Sequence, residues 1–263
     1  MFKNITIGQY LHRDSLVHGL DPRTKILLTM FVVIVLFLIA SFWGYLLVFG
    51  YTFLIILLAK LPLDKILRGL RPVFFILIFT LLLHLIFTKG GDVIFRLGPL
   101  VVEEQGLYTG LFMVTRIVLL VLFTSLLTLT TSPIRLTDGI EYLLKPFRKI
   151  GVPAHELAMM MTIALRFIPT LMEEADKIMK AQKARGADFE GGSLIKKAKS
   201  LIPLLVPLFI SAFRRADELA MAMEARCYRG GESRTRMTEL AFHRMDFVFI
   251  IGSLIFLAGV SLF

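Results

Sequence analysis

Residues 26–59 read ILLTMFVVIVLFLIASFWGYLLVFGYTFLIILLA, from Ile26 to Ala59, with no charged side chain. This run is longer than the roughly 20 residues that one helix needs to cross the hydrocarbon core of a bilayer. Ser41-Phe42-Trp43-Gly44 divides it into two spans joined by a tight turn, with Trp43 at the interface. The pattern recurs farther along. Pro72 to Thr88 reads as a third span and Leu107 to Thr131 as a fourth, interrupted only by Arg116. Arg244 and Asp246 introduce a fifth, Phe247 to Phe263. The fold class is an all-α polytopic membrane protein, with about five transmembrane helices plus long amphipathic cytoplasmic helices.

Composition agrees. Of 263 residues, 56% are hydrophobic, which is high for a soluble domain. The net charge of +10 gives little support to nucleic-acid binding. The cations flank apolar runs or sit on amphipathic helices, where they orient the chain or meet anionic lipid. Cys227 is the only cysteine, which excludes an intrachain disulfide and speaks against a thiolate metal cluster. The first apolar run is followed directly by the second, which fits a retained anchor better than a cleaved secretion signal.

The flanks set the orientation. Lys3, Arg13, Arg23 and Lys25 precede the first span. Lys60, Lys65, Arg68 and Arg71 follow the second, against Asp64 alone. The next loop sets Lys89 and Arg96 against Asp92, Glu103 and Glu104. Positive charge therefore marks the N-terminus and the second-to-third loop as cytoplasmic. Three regions result: 1–131, an N-terminal cytoplasmic segment with four spans; 132–243, a cytoplasmic amphipathic region; and 244–263, the last span.

The central region is rich in both charge and apolar side chains. Ser132-Pro133 signals a helix start. A short amphipathic helix is expected over Ile134–Lys149, bent near Pro146 and ended by Gly151-Val152-Pro153. A longer one follows from Ala154 to Arg185. Leu157, Met161, Ala164, Ile168, Leu171 and Ala175 recur there at three- and four-residue steps, with Glu173, Glu174, Lys177 and Lys180 largely opposite. A third helical stretch runs from beyond Gly191-Gly192 to Arg226. Its uncharged part, Leu201 to Phe213, carries Pro203 and Pro207 and is too short to span. These helices read as a platform under the bilayer; the alternative is a self-contained cytosolic bundle.

One segment occurs twice. Ala175 to Arg185 aligns without gaps on Ala216 to Arg226, with Ala175/Ala216, Asp176/Asp217, Ala181/Ala222, Ala184/Ala225 and Arg185/Arg226 identical. Each copy reads as the end of an amphipathic helix closing on Ala-Arg, followed by Gly186 in one case and Cys227 in the other. Guanidinium is a planar five-donor fork suited to carboxylates and helix-end carbonyls of a partner. Each arginine could instead complement the negative end of its own helix. Occurrence in two copies favours docking onto a partner with two similar receptors.

Catalytic patterns are missing. No phosphate-cradling Gly-x-x-x-x-Gly-Lys-Ser/Thr is found. His155-Glu156 resembles the start of a zinc-protease motif, but Met159 stands where the second histidine is required, so a polar pair at a helix cap is expected instead. His84 and Arg116 lie within spans, where a mid-membrane charge costs roughly 2.5–3.5 kcal/mol. Either they serve a transport path or they are structural, with Arg116 near one end of its span and bonded to backbone or to His84. Two polar residues make a poor path, which weakens the alternative of a secondary carrier or channel moving solute through its own spans.

With these residues in view, the chain resembles the transmembrane T component of energy-coupling factor (ECF) transporters, ATP-driven importers of vitamins and metals in bacteria and archaea. The resemblance rests on Gly8-Gln9-Tyr10 with Leu20-Asp21-Pro22-Arg23-Thr24-Lys25, on Leu165-Arg166-Phe167-Ile168-Pro169, on Ala181-Gln182-Lys183-Ala184-Arg185-Gly186 and on Ala222-Met223-Glu224-Ala225-Arg226. It implies a non-catalytic subunit in a bacterial or archaeal cell membrane that links two homologous ABC-type ATPase subunits to one membrane-embedded substrate-binding S component. ATP and Mg would be bound by the partner ATPases and no cofactor by this chain. Arg185 and Arg226 would enter the ATPase grooves, flanked by Ala184, Gly186, Ala225 and Cys227. The family often has glycine where Cys227 stands, which implies a looser approach at the second groove.

Overall fold

The long apolar run breaks where its turn residues lie. In this computed structural model, described for residues 10–97, 100–187, 189, 191, 194–230 and 240–260, the first helices are α1 (Leu16–Gly19), α2 (Pro22–Leu38) and α3 (Phe42–Leu58). Ser41 caps α3, its side chain accepting from the Trp43 N–H. Asp21 caps α2 in the same way from the Arg23 N–H, so α2 starts at Pro22, a full turn before the expected Ile26.

The cation-rich stretch after α3, expected as a loop, folds as a strongly amphipathic helix, α4 (Leu63–Leu70). A 3₁₀ turn over Arg71–Val73 then leads into α5 (Phe74–Phe87). Pro72 has no N–H to donate, and the chain tightens there without breaking. Leu63–Phe87 thus forms one 25-residue apolar helical stretch. The following segment carries a hairpin that the sequence reading did not anticipate, β1 (Val93–Leu97) antiparallel to β2 (Leu100–Glu103). Val93, Ile94, Val101 and Val102 supply the β-branched side chains that favour it.

Next come α6 (Glu104–Thr130) and α7 (Pro133–Leu144), with a 3₁₀ segment at Lys145–Ile150 where a bend near Pro146 is expected. The long helices are α8 (Ala154–Ala184) and α9 (Leu194–Ala225), and α10 (Arg244–Val260) follows. Gly8, Gln9, Gly192 and the end of the fifth span at 261–263 lie outside the described residues.

This is an all-α membrane protein apart from the hairpin. Among the described residues, two helical stretches, Leu63–Phe87 and Glu104–Thr130, are long and apolar enough to cross a bilayer. The helices α2, α3 and α10 have 17 residues each. At 1.5 Å per residue α2 and α3 reach about 26 Å, just short of a hydrocarbon core of about 30 Å.

The chain divides into two compact units. One comprises residues 8–140 and 239–263. Its core is Val32, Val35, Leu36, Tyr45, Val48, Leu119, Phe123, Leu126 and Leu257. In it α5 and α6 approach closely at Gly106, where an added Cβ would lie 2.8 Å from the Thr88 carbonyl oxygen and 2.9 Å from that of His84. Such small-residue contact is how apolar helices pack where lipid competes for their faces. The other unit includes residues 141–238, and α8 and α9 pack together within it. The uncharged run Leu201 to Phe213 is part of continuous α9, with Ile202, Val206, Phe209, Ile210 and Phe213 exposed.

Candidate functional site

The duplicated sequence builds a duplicated helix end. At the end of α8 the Arg185 N–H donates to the carbonyls of Ala181 (3.2 Å) and Gln182 (3.1 Å). The Gly186 N–H donates to Lys183 O (3.0 Å) and the Ala187 N–H to Gln182 O (3.0 Å). This pair of bonds, one reaching back three residues and one five, is a Schellman cap, which satisfies carbonyls that the helix leaves open. Gly186 holds the left-handed conformation it requires, at φ +87°.

At the end of α9 the Arg226 N–H donates to Met223 O (3.1 Å), the Cys227 N–H to Glu224 O (2.8 Å) and the Tyr228 N–H to Met223 O (3.0 Å). The two caps share one plan. Cys227 takes the place of Gly186, at φ +57°. A side chain in this region costs roughly 1–2 kcal/mol, so the cap forms in spite of its cysteine. Arg185 and Arg226 occupy equivalent positions, one residue past the last helical residue, and both are exposed. Ala184, Gly186, Ala225 and Cys227 beside them are exposed as well, leaving each guanidinium bordered by little bulk. Each cation also sits at the negative end of its helix dipole.

The two helices pair antiparallel. Ile163, Phe167 and Leu171 of α8 face Ala212, Ala216, Leu219 and Met223 of α9 across a cavity of about 270 Å³. Arg215 Nη2 donates to Glu174 Oε2 at 2.8 Å. The Glu174 carboxyl is held below the usual carboxylate range, chiefly by a hydrogen bond from Ser211 and then by Arg215. The folded-state value is depressed, so this contribution is present at neutral pH and lost as acid protonates Glu174. His155 and Glu156 both lie in the first turn of α8, as expected of a polar pair at a helix start, and His155 bonds beyond that pair. Its Nδ1 lies 3.0 Å from Glu141 Oε1 and its Nε2 lies 3.4 Å from the Tyr228 hydroxyl.

The polar residues of the apolar helices α5 and α6 have specific partners. Arg116 sits mid-helix in α6, and its Nε donates to the Tyr45 hydroxyl at 2.7 Å, not to His84 or to backbone near a span end. That hydroxyl in turn donates to Leu36 O at 2.8 Å. The guanidinium also lies 5.2 Å from the Phe37 ring centroid and 5.5 Å from that of Phe112, within cation–π range. His84 Nδ1 is 3.0 Å from Thr88 Oγ1, one turn along. Nothing in the sequence pattern singled out Tyr45, a lone aromatic among many in an apolar run.

Arg23 and Lys25, which read as flanking charges that orient the chain, are 2% and 7% exposed. Arg23 forks onto Asp21 (2.9 and 2.7 Å), bonds Leu240 O and lies 3.9 Å from the Phe242 ring centroid. Lys25 Nζ donates to His18 O and Thr130 O. Asp246, fully buried, accepts from the Asp21 N–H and the His243 N–H, both at 2.8 Å. This acid in the first turn of α10 therefore ties that helix to the start of α2. Among the described residues no cluster of three or more His, Cys, Asp or Glu could hold a metal.

Against known proteins, residues 13–237 match the family model CbiQ, described as cobalt transport protein. The chain is 59% identical over 251 residues to the energy-coupling factor transporter transmembrane protein EcfT of Thermosediminibacter oceani, covering 95% of this chain and 94% of that one. It is 58% identical over 256 residues to the EcfT protein of Clostridium kluyveri (97% and 95% covered). It is 49% identical over 263 residues to that of Bacillus subtilis (100% and 99%).

Proposed function

The chain belongs to the CbiQ cobalt transport protein family, among the transmembrane components of energy-coupling factor transporters, and from that premise we propose that it couples an ATPase dimer to a substrate-binding membrane subunit. In this reading it imports a vitamin or other micronutrient without catalysing a reaction itself. ATP and Mg are handled by two homologous ABC-type ATPases below the membrane. The N-terminus and the 132–243 region lie on the cytoplasmic side, as the cation-rich flanks favour. Residues 1–131 and 244–263 then form the membrane part.

The carrying observation is the repeated helix end. Two caps that share three equivalent backbone hydrogen bonds put Arg185 and Arg226 in the same local frame, exposed and bordered by small residues. Two like projections suit two like receptors. The exposed apolar side chains of α5 (Phe75, Phe79, Phe87) and of α9 (Val206, Phe209, Phe213) supply surface for lipid and for the membrane-embedded S component.

The experiment is co-purification of the ATPases with the double variant Arg185→Glu/Arg226→Glu. Each arginine lost from a desolvated groove is expected to cost about 2–5 kcal/mol of binding, while membrane insertion is retained. Normal ATPase recovery with the double variant would overturn the docking role. Solute flux by the purified chain alone in liposomes would favour a carrier instead.

A further inference from the structure

The two arginine ends share a backbone plan but not their anchoring. Tyr228 stands two residues after Arg226, and its N–H closes the second cap on Met223 O. Its hydroxyl also reaches His155 Nε2 in the first turn of α8 (3.4 Å), and His155 Nδ1 reaches Glu141 Oε1 on α7 (3.0 Å). A carboxylate only accepts hydrogen bonds, so Nδ1 carries the proton facing Glu141. In that tautomer Nε2 is an acceptor, and the Tyr228 hydroxyl donates to it. The His155 and Glu141 side chains are 28% and 14% exposed, so water competes little with this chain of bonds. At the first end the corresponding position is Ala187, whose methyl group can make no such bond.

We propose that Tyr228, His155 and Glu141 are positioning residues that hold the Arg226 end in its docking geometry. The inference rests on the docking reading of Arg226 and deepens it. The end whose cap contains a left-handed cysteine is the one fastened by side chains from two other helices, whereas the end with glycine in that place lacks this anchor. The fastening also joins the tip of α9 to the root of α8, the helix whose far end carries Arg185. A push received at Arg226 therefore reaches the first turn of α8 through hydrogen bonds.

The test uses the full-length chain in lipid nanodiscs with both ATPases. ATPase affinity is measured for Tyr228→Phe, His155→Ala and His155→Gln, each carrying Arg185→Ala so that binding depends on the second end. A nitroxide on Cys227, the sole cysteine and exposed, reports the mobility of that end in each. Tyr228→Phe and His155→Ala are expected to weaken binding by roughly two- to ten-fold, the range for one net hydrogen bond, and to mobilise the label. Glutamine at 155 can accept from Tyr228 through its oxygen and donate to Glu141 through its nitrogen, so His155→Gln should restore both readouts. Equal losses in the Gln and Ala variants, or an immobile label in Tyr228→Phe, would overturn the positioning role. Undiminished binding by Arg226→Glu in the same background would bring down the docking reading, and the positioning role with it.

Discussion

Cys227 carries a side chain in a backbone conformation that glycine adopts freely. Its hydrogen bonds match those at Gly186, so the sequence difference between the two ends is a cost in conformation and not a change of shape. Cys227→Gly should therefore stabilise the protein by about 1 kcal/mol, seen as a higher thermal midpoint in detergent. No gain, or a loss, would show that the thiol makes a compensating contact. Residue identity alone pointed to this position, but its φ emerges only from folding. The same holds for Arg116, which the sequence marks as a costly charge without indicating that Tyr45 and two phenylalanines receive it.

At the scale of elements, hydropathy and periodicity place the helices well. The apolar runs, the Ser41 break, Pro146 and Gly151 each act locally, so α2, α3, α6, α7 and α8 lie near their expected ranges. Where competing signals met, legibility failed. The 60–71 segment reads as a loop because of its cations, yet Leu63, Ile66, Leu67 and Leu70 fall at helical spacing and form one face of α4. The hairpin of β1 and β2 is short, and its strands, VIFRL and LVVE, show no apolar–polar alternation that would mark them. Packing between α5 and α6 depends on a missing side chain, a feature no hydropathy scan weighs. Gly106→Val should separate these helices at a destabilisation of about 1–3 kcal/mol, measurable as a lowered unfolding midpoint. The obstruction is the backbone of α5 and its cap, so a rotamer change cannot relieve it.

For the whole molecule, the apolar surface is unusually large, and α5 presents aromatic and branched side chains over most of its length. Its environment must be lipid, partner protein or both. Trp43, the single tryptophan, is 70% exposed at the turn between α2 and α3 and gives a native optical probe of where that turn lies. In vesicles its fluorescence should be quenched more strongly by headgroup-level spin labels than by labels deep in the acyl chains. Stronger quenching by the deep labels would place the turn inside the hydrocarbon and undo the division of residues 26–59 into two spans. The candidate docking ends were legible as a repeat because both copies are contiguous in sequence. The anchor formed by Glu141, His155 and Tyr228 was not, because α7, α8 and the cap beyond α9 contribute one residue each.

The clasp between Asp246 and the first turn of α2 makes early and late portions of the polypeptide depend on each other. Asp21 emerges from the ribosome more than two hundred residues before its acceptor exists. A chain that lacked Asp246 would leave the Asp21 N–H without its buried acceptor, so Asp246→Ala should destabilise the start of α2 by about 1–3 kcal/mol.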